Sequence, residues 1–429
     1  MTEHAPGRTL PKPNVKGGQA TEALGFLAPF LSASYIILWA LEPSLFGSAS
    51  DIFPPLRWAL ATMMSCTLVL VLPRALSRGW PVVLFVTTLA ITMLLDSGTA
   101  ASFPIFARIA SAAILALFAG SLKLKRRVTI ARGVIICSAA IVFGSMVLGA
   151  AAPSVGYKLI GTERLRLYGL TPHPGTLGYL AALVATTLLS SGLFLNRGRS
   201  LNRRIRDLCF GTLATYALFL ADSRTGQIAT ALGLMTAFGI SVLISSRLIQ
   251  KTIVVPWMAF SLLVFAAVLT PILVTSGSMQ VTATAQDRYA ESTAGRVEIW
   301  QGGLNDFSKN PLSGAGLAST YRPSNMAADA EPLFYFHSVL INYLAKGGII
   351  VGIPLIFLLF LPPWAILIAA RRIGRDPETI RSDRTLLFFC NAACMVTLVY
   401  AITEAALQNI YPSFLIFFFS ALLISRGTR

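Results

Sequence analysis

Uninterrupted apolar runs long enough to cross a bilayer recur along this chain, and they limit its fold more than any other feature. A helix rises about 1.5 Å per residue, so about 20 consecutive apolar residues span the hydrocarbon core. Runs of this kind cover 24–41, 57–73, 80–95, 102–121, 128–150, 174–195, 208–222, 225–246, 252–274, 348–370, 385–405 and 410–425. The runs at 80–95 and 208–222 are short and suit tilted, broken or neighbour-buried helices. No period-two alternation of the outer-membrane barrel kind appears, so the runs read as helices. Only 12% of the residues are charged, against about 25% in soluble domains, which argues against a water-soluble globular enzyme. The expected fold class is therefore all-α, a polytopic integral membrane protein with about twelve transmembrane helices.

The tail before the first run, MTEHAPGRTLPKPNVKGGQATE, is polar and rich in Pro and Gly. No small-residue cleavage site follows the run, so residues 1–23 read as a tail ahead of a retained helix and not as a signal peptide.

A net charge of +17 taken alone suggests a nucleic-acid partner. Its distribution says otherwise. Arg74 with Arg78, KLKRR at 123–127, the arginines of 197–206, Arg247 with Lys251, those of 371–384, and Arg426 with Arg429 fall in every second loop and at the ends. That alternation is the mark of cytoplasmic loops and puts both termini in the cytoplasm. Sorted by side, the cytoplasmic face carries +18 and the opposite face −3, with Arg108 and Lys346 in or beside spans. The excess is an orientation signal, and no nucleic-acid partner is expected.

Cys66, Cys137, Cys209, Cys390 and Cys394 all lie inside the apolar runs and read as small packing residues. There is no CxxC or His/Cys cluster with zinc spacing. No GxxxxGK[ST] phosphate loop is present.

One loop is large, residues 275–347, on the external face. A structureless loop of that length is unusual, so it should contain helices and function. In GRVEIWQGGLNDFSKN, Val297, Trp300, Leu304 and Phe307 recur at three- and four-residue spacing, with Arg296, Glu298 and Asp306 off the stripe. This predicts an amphipathic helix lying on the bilayer or capping the bundle, closed by the turn chemistry of NPLSGAG. A second helix is expected to start near Pro332, carry His337, and end at Lys346-Gly347-Gly348. The organisation expected is a tail at 1–23, helices 1–9 over 24–274, the helical loop 275–347, helices 10–12 over 348–425, and an end at 426–429.

Chemistry concentrates on the external face. His173 and His337 both fall there. For His337 the plain reading is a hydrogen-bonded interfacial residue at a helix start. Its place in the large loop among arginines favours a neutral imidazole that accepts a proton. The external arginines Arg57, Arg164, Arg166, Arg224, Arg288, Arg296 and Arg322 run against the positive-inside rule and need reasons. Surface ion pairs explain some, such as Arg288 near Asp287 and Glu291. A phosphate-bearing ligand explains a converging set, because guanidinium grips phosphate oxygens in a bidentate way. Arg224, in the tight turn ADSRTGQ between two spans, has the weakest surface explanation. Arg108, about six residues into its run, either snorkels outward or marks a site.

Three external segments together resemble the O-antigen ligase/polymerase superfamily of bacterial membrane enzymes. They are RLYGLTPHPGTLGYL with Arg166, Gly169, Pro174 and Gly178; the DSRTG turn around Arg224; and the stretch from Gly295 to Gly352. The last holds Arg296 and Trp300, then NPLSGAG, His337 and KGGIIVG. Where many members follow the loop histidine with Asn, this sequence has Ser338. Within the superfamily the ligases look most similar. Polymerases are expected to carry two sizeable periplasmic loops, and protein-glycosylating relatives continue into a C-terminal periplasmic domain.

The resemblance implies a C-type glycosyltransferase fold in the inner membrane with its site at the periplasmic face. It also implies a reaction with no cofactor or metal. The donor would be O-antigen glycan on undecaprenyl diphosphate, the acceptor a sugar hydroxyl of lipid A–core, with membrane lipids around both, and the displacement would invert the anomeric carbon. Arg166 and Arg224 would stabilise the leaving diphosphate, with Arg164, Arg288 and Arg296 as further diphosphate ligands. His337 would be the base or hydroxyl-orienting group. His173, Arg108 and Arg322 are weaker candidates. Two alternatives stand beside this reading: an O-antigen polymerase with the same donor, and a transporter or lipid flippase. The spans carry almost no charge, and the unexplained cations gather at one face, which suits interfacial chemistry better than transport.

Overall fold

The computed structural model describes residues 79–96, 99–122, 124–160, 164–195, 200–245, 293–320, 336–373 and 380–403, with single residues at 34, 41 and 59. Helices α1 (Trp80–Leu95), α2 (Thr99–Ser121) and α3 (Leu124–Ala151) come first, followed by one turn of helix, α4 (Pro153–Gly156). A hairpin of β1 (Tyr157–Ile160) and β2 (Arg164–Leu167) leads to α5 (Pro174–Ser190), which runs on into a π turn, Ser191–Leu195. Then come α6 (Leu201–Leu220), α7 (Arg224–Ser245), α8 (Thr293–Lys309), α9 (Val339–Ile373) and α10 (Ile380–Thr403).

Five of these helices are long and apolar enough to cross a membrane: Arg126–Ala151, Pro174–Leu195, Arg224–Ile244, Val339–Arg371 and Arg384–Thr403. Helix α1 and the apolar part of α2 are shorter. Helix α6 begins at Leu201, takes in Arg203, Arg204 and Arg206 ahead of the expected run at 208–222, and so is less apolar over its length. Apart from the single residues 34, 41 and 59, the expected runs at 24–41, 57–73, 252–274 and 410–425 lie outside the described residues, as do 275–292 and 321–335 of the large loop.

The centre of the bundle is α5. Residues Tyr179 to Ala185 are all but inaccessible, because the helix is apolar on every side and packs against α3, α6, α7 and α10. Helix α10 is the second buried element. Tyr179 Oη and Thr397 Oγ1 lie 2.7 Å apart across the α5–α10 contact, and Asn391 Nδ2 donates to the Gly233 carbonyl of α7 at 3.1 Å. Such internal pairs satisfy polar groups that neither lipid nor the apolar core would take.

An exclusively helical fold is corrected by the hairpin. Its strands pair antiparallel with Tyr157 opposite Leu167 and Lys158 opposite Arg166. RLRL alternates and YKLI does so only over its first three residues, and four-residue strands are hard to see beside runs five times longer.

The large loop carries helix where expected, with two corrections. Helix α8 spans Thr293–Lys309, but its packed face is Ile299, Trp300 and Gly303. Leu304, expected on the apolar stripe, is 47% exposed. Ile299 packs with Phe336, Ile341 and Ala345, so α8 is held by α9. The second loop helix starts at Val339, after His337, and continues through a break into the next span.

That break is built in detail. Gly348 sits at φ 60° and ψ −160°, inside an otherwise helical stretch. A break of this kind strips nearby backbone groups of their helical partners. The 310–317 loop replaces them. Ala315 N donates to the Ala345 carbonyl at 2.8 Å and Gly316 N to that of Lys346 at 3.0 Å; Ile349 N donates to Pro311 at 2.8 Å and Ile350 N to Leu312 at 3.3 Å. Lys346 is buried and its Nζ donates to the Leu317 carbonyl at 3.1 Å, while Leu317 N donates to Asp96 Oδ2 at 3.1 Å. Ser102 Oγ also donates to Asp96 Oδ2. Three distant segments, the end of α1, the NPLSGAG loop and the bend of α9, are thus locked together at one end of the bundle.

Candidate functional site

The same end of the bundle, away from Arg203, Arg204 and Arg371, gathers the polar residues. Helix α5 starts at Pro174, whose missing N–H is no loss at a first helical position. His173 caps it, Nδ1 accepting from Gly175 N at 3.0 Å. Ahead of the cap, Gly169 has φ 57°, and a Cβ there would collide with Ser145, so only glycine fits this turn. The constraint returns the chain from β2 to α5 and places Arg166 over the α6–α7 turn.

Arg166 is the point of contact. Its Nη2 lies 3.3 Å from Asp222 Oδ2, with the two side chains 14% and 35% exposed. Asp222 occupies the left-handed region at φ 48°, which Asp tolerates better than most residues. It belongs to the turn Ala221–Ser223 that reverses the chain between α6 and α7. Ser223 caps α7, its Oγ accepting from Gly226 N at 3.2 Å and lying 2.9 Å from Tyr400 Oη. Gly178 of α5 lets this serine come close, since a Cβ there would collide with Ser223 Oγ. Thr403 Oγ1 donates to Thr225 Oγ1 at 3.3 Å, tying the end of α10 to the same turn.

Arg224 is the first residue of α7 and is exposed. A cation at a helix N-terminus opposes the macrodipole, by about 0.3–1 kcal/mol. The same terminus and the guanidinium together attract an anion. Through Asp222, Arg166 thus reaches the turn that leads into Arg224 and the α7 start.

His337 stands just ahead of α9 at φ 49°, half-buried, between buried Phe336 and Ser338. Left-handed backbone costs an L residue roughly 1–2 kcal/mol, so the position is held by its surroundings. Helix α9 packs against α7 and α10, and His337 lies at the end of it that the 310–317 loop grips.

The other expected residues sort as follows. Arg164 lies on β2, opposite Ile160, and Arg296 on α8. Arg108 is exposed in the middle of α2. The N-capping bond of His173 gives that residue a structural job. Arg288 and Arg322 lie outside the described residues. Among the described residues, no three His, Cys, Asp or Glu side chains gather as metal ligands.

Asp222, Ser223 and Tyr400 were not singled out by the sequence as site residues. The first two stand inside the DSRTG turn, so an acid and a hydroxyl beside the arginine were visible there. Tyr400 had no signal, since an aromatic residue in an apolar run looks like any other lipid- or core-facing side chain.

Residues 209–361 match the O-antigen ligase family Wzy_C, a stretch from within α6 to the middle of α9 that takes in the Arg224 turn, α8 and His337. The match supports membership of the O-antigen ligase/polymerase superfamily. No curated protein matches the chain.

Proposed function

We propose that this protein is an O-antigen ligase. It moves glycan from undecaprenyl diphosphate to a sugar hydroxyl of lipid A–core at the periplasmic face of the inner membrane, with inversion and without a metal. The observation that carries the reading is the Arg166–Asp222 contact, which joins the hairpin to the turn bearing Arg224. Arg166 from the hairpin reaches the turn that leads into Arg224 at the start of one helix, a setting suited to a diphosphate.

In the reaction the acceptor hydroxyl oxygen attacks the anomeric carbon from the side opposite the diphosphate. The bond from that carbon to the diphosphate oxygen breaks, and its electron pair leaves with undecaprenyl diphosphate. The hydroxyl proton passes to the His337 imidazole. Negative charge grows on the departing diphosphate, and Arg166, Arg224 and the α7 N-terminus offset it. Asp222 fixes the Arg166 guanidinium towards the turn. Arg164, Arg288 and Arg296 are further diphosphate ligands in this reading, with His173, Arg108 and Arg322 secondary.

The test replaces the chromosomal copy with His337→Ala, Arg166→Ala or Arg224→Ala. Each variant should reach the membrane, leave lipid A–core without O-antigen, and accumulate polymerised glycan on undecaprenyl diphosphate. Lipopolysaccharide carrying a single repeat would instead identify a polymerase. Normal ligation by all three variants contradicts the proposed site.

A further inference from the structure

We propose that Lys158 is a third cation of the diphosphate site, a substrate-binding residue contributed by β1. The assignment rests on the reading of Arg166 and Arg224 as diphosphate ligands and adds to it a residue to which the sequence drew no attention.

The register of the hairpin is the first observation. Lys158 stands directly opposite Arg166, and directly opposed residues of a strand pair share one face. Like charges in that position repel, and a hairpin has little reason to place them there unless an anion lies between. Asp222 answers Arg166 at 3.3 Å. Lys158 makes no ion pair among the described residues and is exposed. Two opposed cations therefore share one face of the hairpin.

The second observation is how Lys158 is held. Its Nζ lies 5.0 Å from the centre of the Tyr168 ring. Tyr168 in turn packs edge-on to the His173 ring at 6.3 Å, next to the α5 start. The ammonium is thus drawn towards the base of the hairpin, the side on which Arg166 reaches the α6–α7 turn, and away from the tip. A lysine supplies a point charge on a flexible stem, which complements the fixed forks of two arginines. The ligand chemistry is a diphosphate ester whose charge rises as the glycan departs.

The test is transfer by the full-length protein in liposomes, with undecaprenyl-diphosphate-linked O-antigen as donor and lipid A–core as acceptor. Lys158→Gln should raise the donor KM and the inhibition constant of undecaprenyl diphosphate roughly tenfold, as expected for losing one charge-assisted contact. The acceptor KM should stay unchanged, and Lys158→Arg should restore donor binding. Tyr168→Leu, which removes the ring and keeps the ammonium, should raise the donor KM by less than Lys158→Gln. Unchanged donor KM and inhibition constant in Lys158→Gln, with Arg224→Ala inactive, overturn the Lys158 assignment and leave the arginine site standing. Unchanged values in Lys158→Gln with Arg224→Ala fully active overturn both.

Discussion

Replacing Gly348 with alanine tests the bend of α9, on which the placement of His337 depends. The glycine sits at φ 60° and ψ −160°, a region essentially restricted to glycine that costs an L residue about 1–3 kcal/mol. A Cβ there would also run into the Leu312 carbonyl and the Ser313 nitrogen, both backbone atoms that cannot swing aside. Relief requires the 310–317 loop to lift, which breaks the Ile349–Pro311 and Ile350–Leu312 hydrogen bonds at 2.8 and 3.3 Å. At about 1 kcal/mol each, these bring the local cost to roughly 3–5 kcal/mol. Hydrogen exchange followed by mass spectrometry reads it directly. Peptides covering 310–317 and 345–350 should exchange at least about a hundredfold faster in Gly348→Ala, with the α5 and α10 peptides unchanged. The control is Gly133→Ala in α3, where a Cβ meets nothing within 4 Å. It should be neutral or stabilising by up to about 1 kcal/mol. If Gly348→Ala exchanges no faster than Gly133→Ala in these peptides, the loop does not hold the bend and the argument fails.

Other outcomes follow from the same contacts. Arg224→Lys should keep part of the transfer activity, on the order of a tenth, because charge remains while the bidentate grip is lost; full activity would reduce Arg224 to simple charge. Asp222→Asn removes the counter-charge of Arg166 while preserving shape, so transfer should fall about tenfold through kcat with the protein still folded, as read by paired activity and thermal-shift measurements. A double-mutant cycle of Ser223→Ala and Tyr400→Phe should show a coupling of about 1 kcal/mol in stability, since their oxygens lie 2.9 Å apart in a buried contact. Additivity within error would mean that the contact does not tie α10 to the Arg224 turn.

Much of the architecture was legible because a bilayer-length apolar run leaves the backbone little choice. The starts of α5 and α7 were expected at 174 and 225 and lie at Pro174 and Arg224, where a proline and a tight turn mark the chain. The α8 stripe was misplaced for a physical reason. Periodicity finds an apolar face, but Gly303 creates a closer one by letting Phe336 and Ile341 approach, and so Leu304 turns outward. Glycine does not register as apolar, although here it decides which side packs. The hairpin was missed because short strands carry little pattern. At the site, Arg166, Arg224 and His337 stood out as charges or imidazoles where topology does not expect them. Their partners did not. Asp222 looked like a loop acid and Tyr400 like one more aromatic in an apolar run. The lock of Asp96, Leu317 and Lys346 joins residues too distant in sequence for any local pattern to connect.

Reconstitution with purified components tests the central claim most directly. Full-length protein in liposomes would receive undecaprenyl-diphosphate-linked O-antigen and lipid A–core, with products separated by mass. The account predicts O-antigen joined to lipid A–core, one undecaprenyl diphosphate released per transfer, and no product from His337→Ala. Longer glycan on undecaprenyl diphosphate, with lipid A–core untouched, would contradict it.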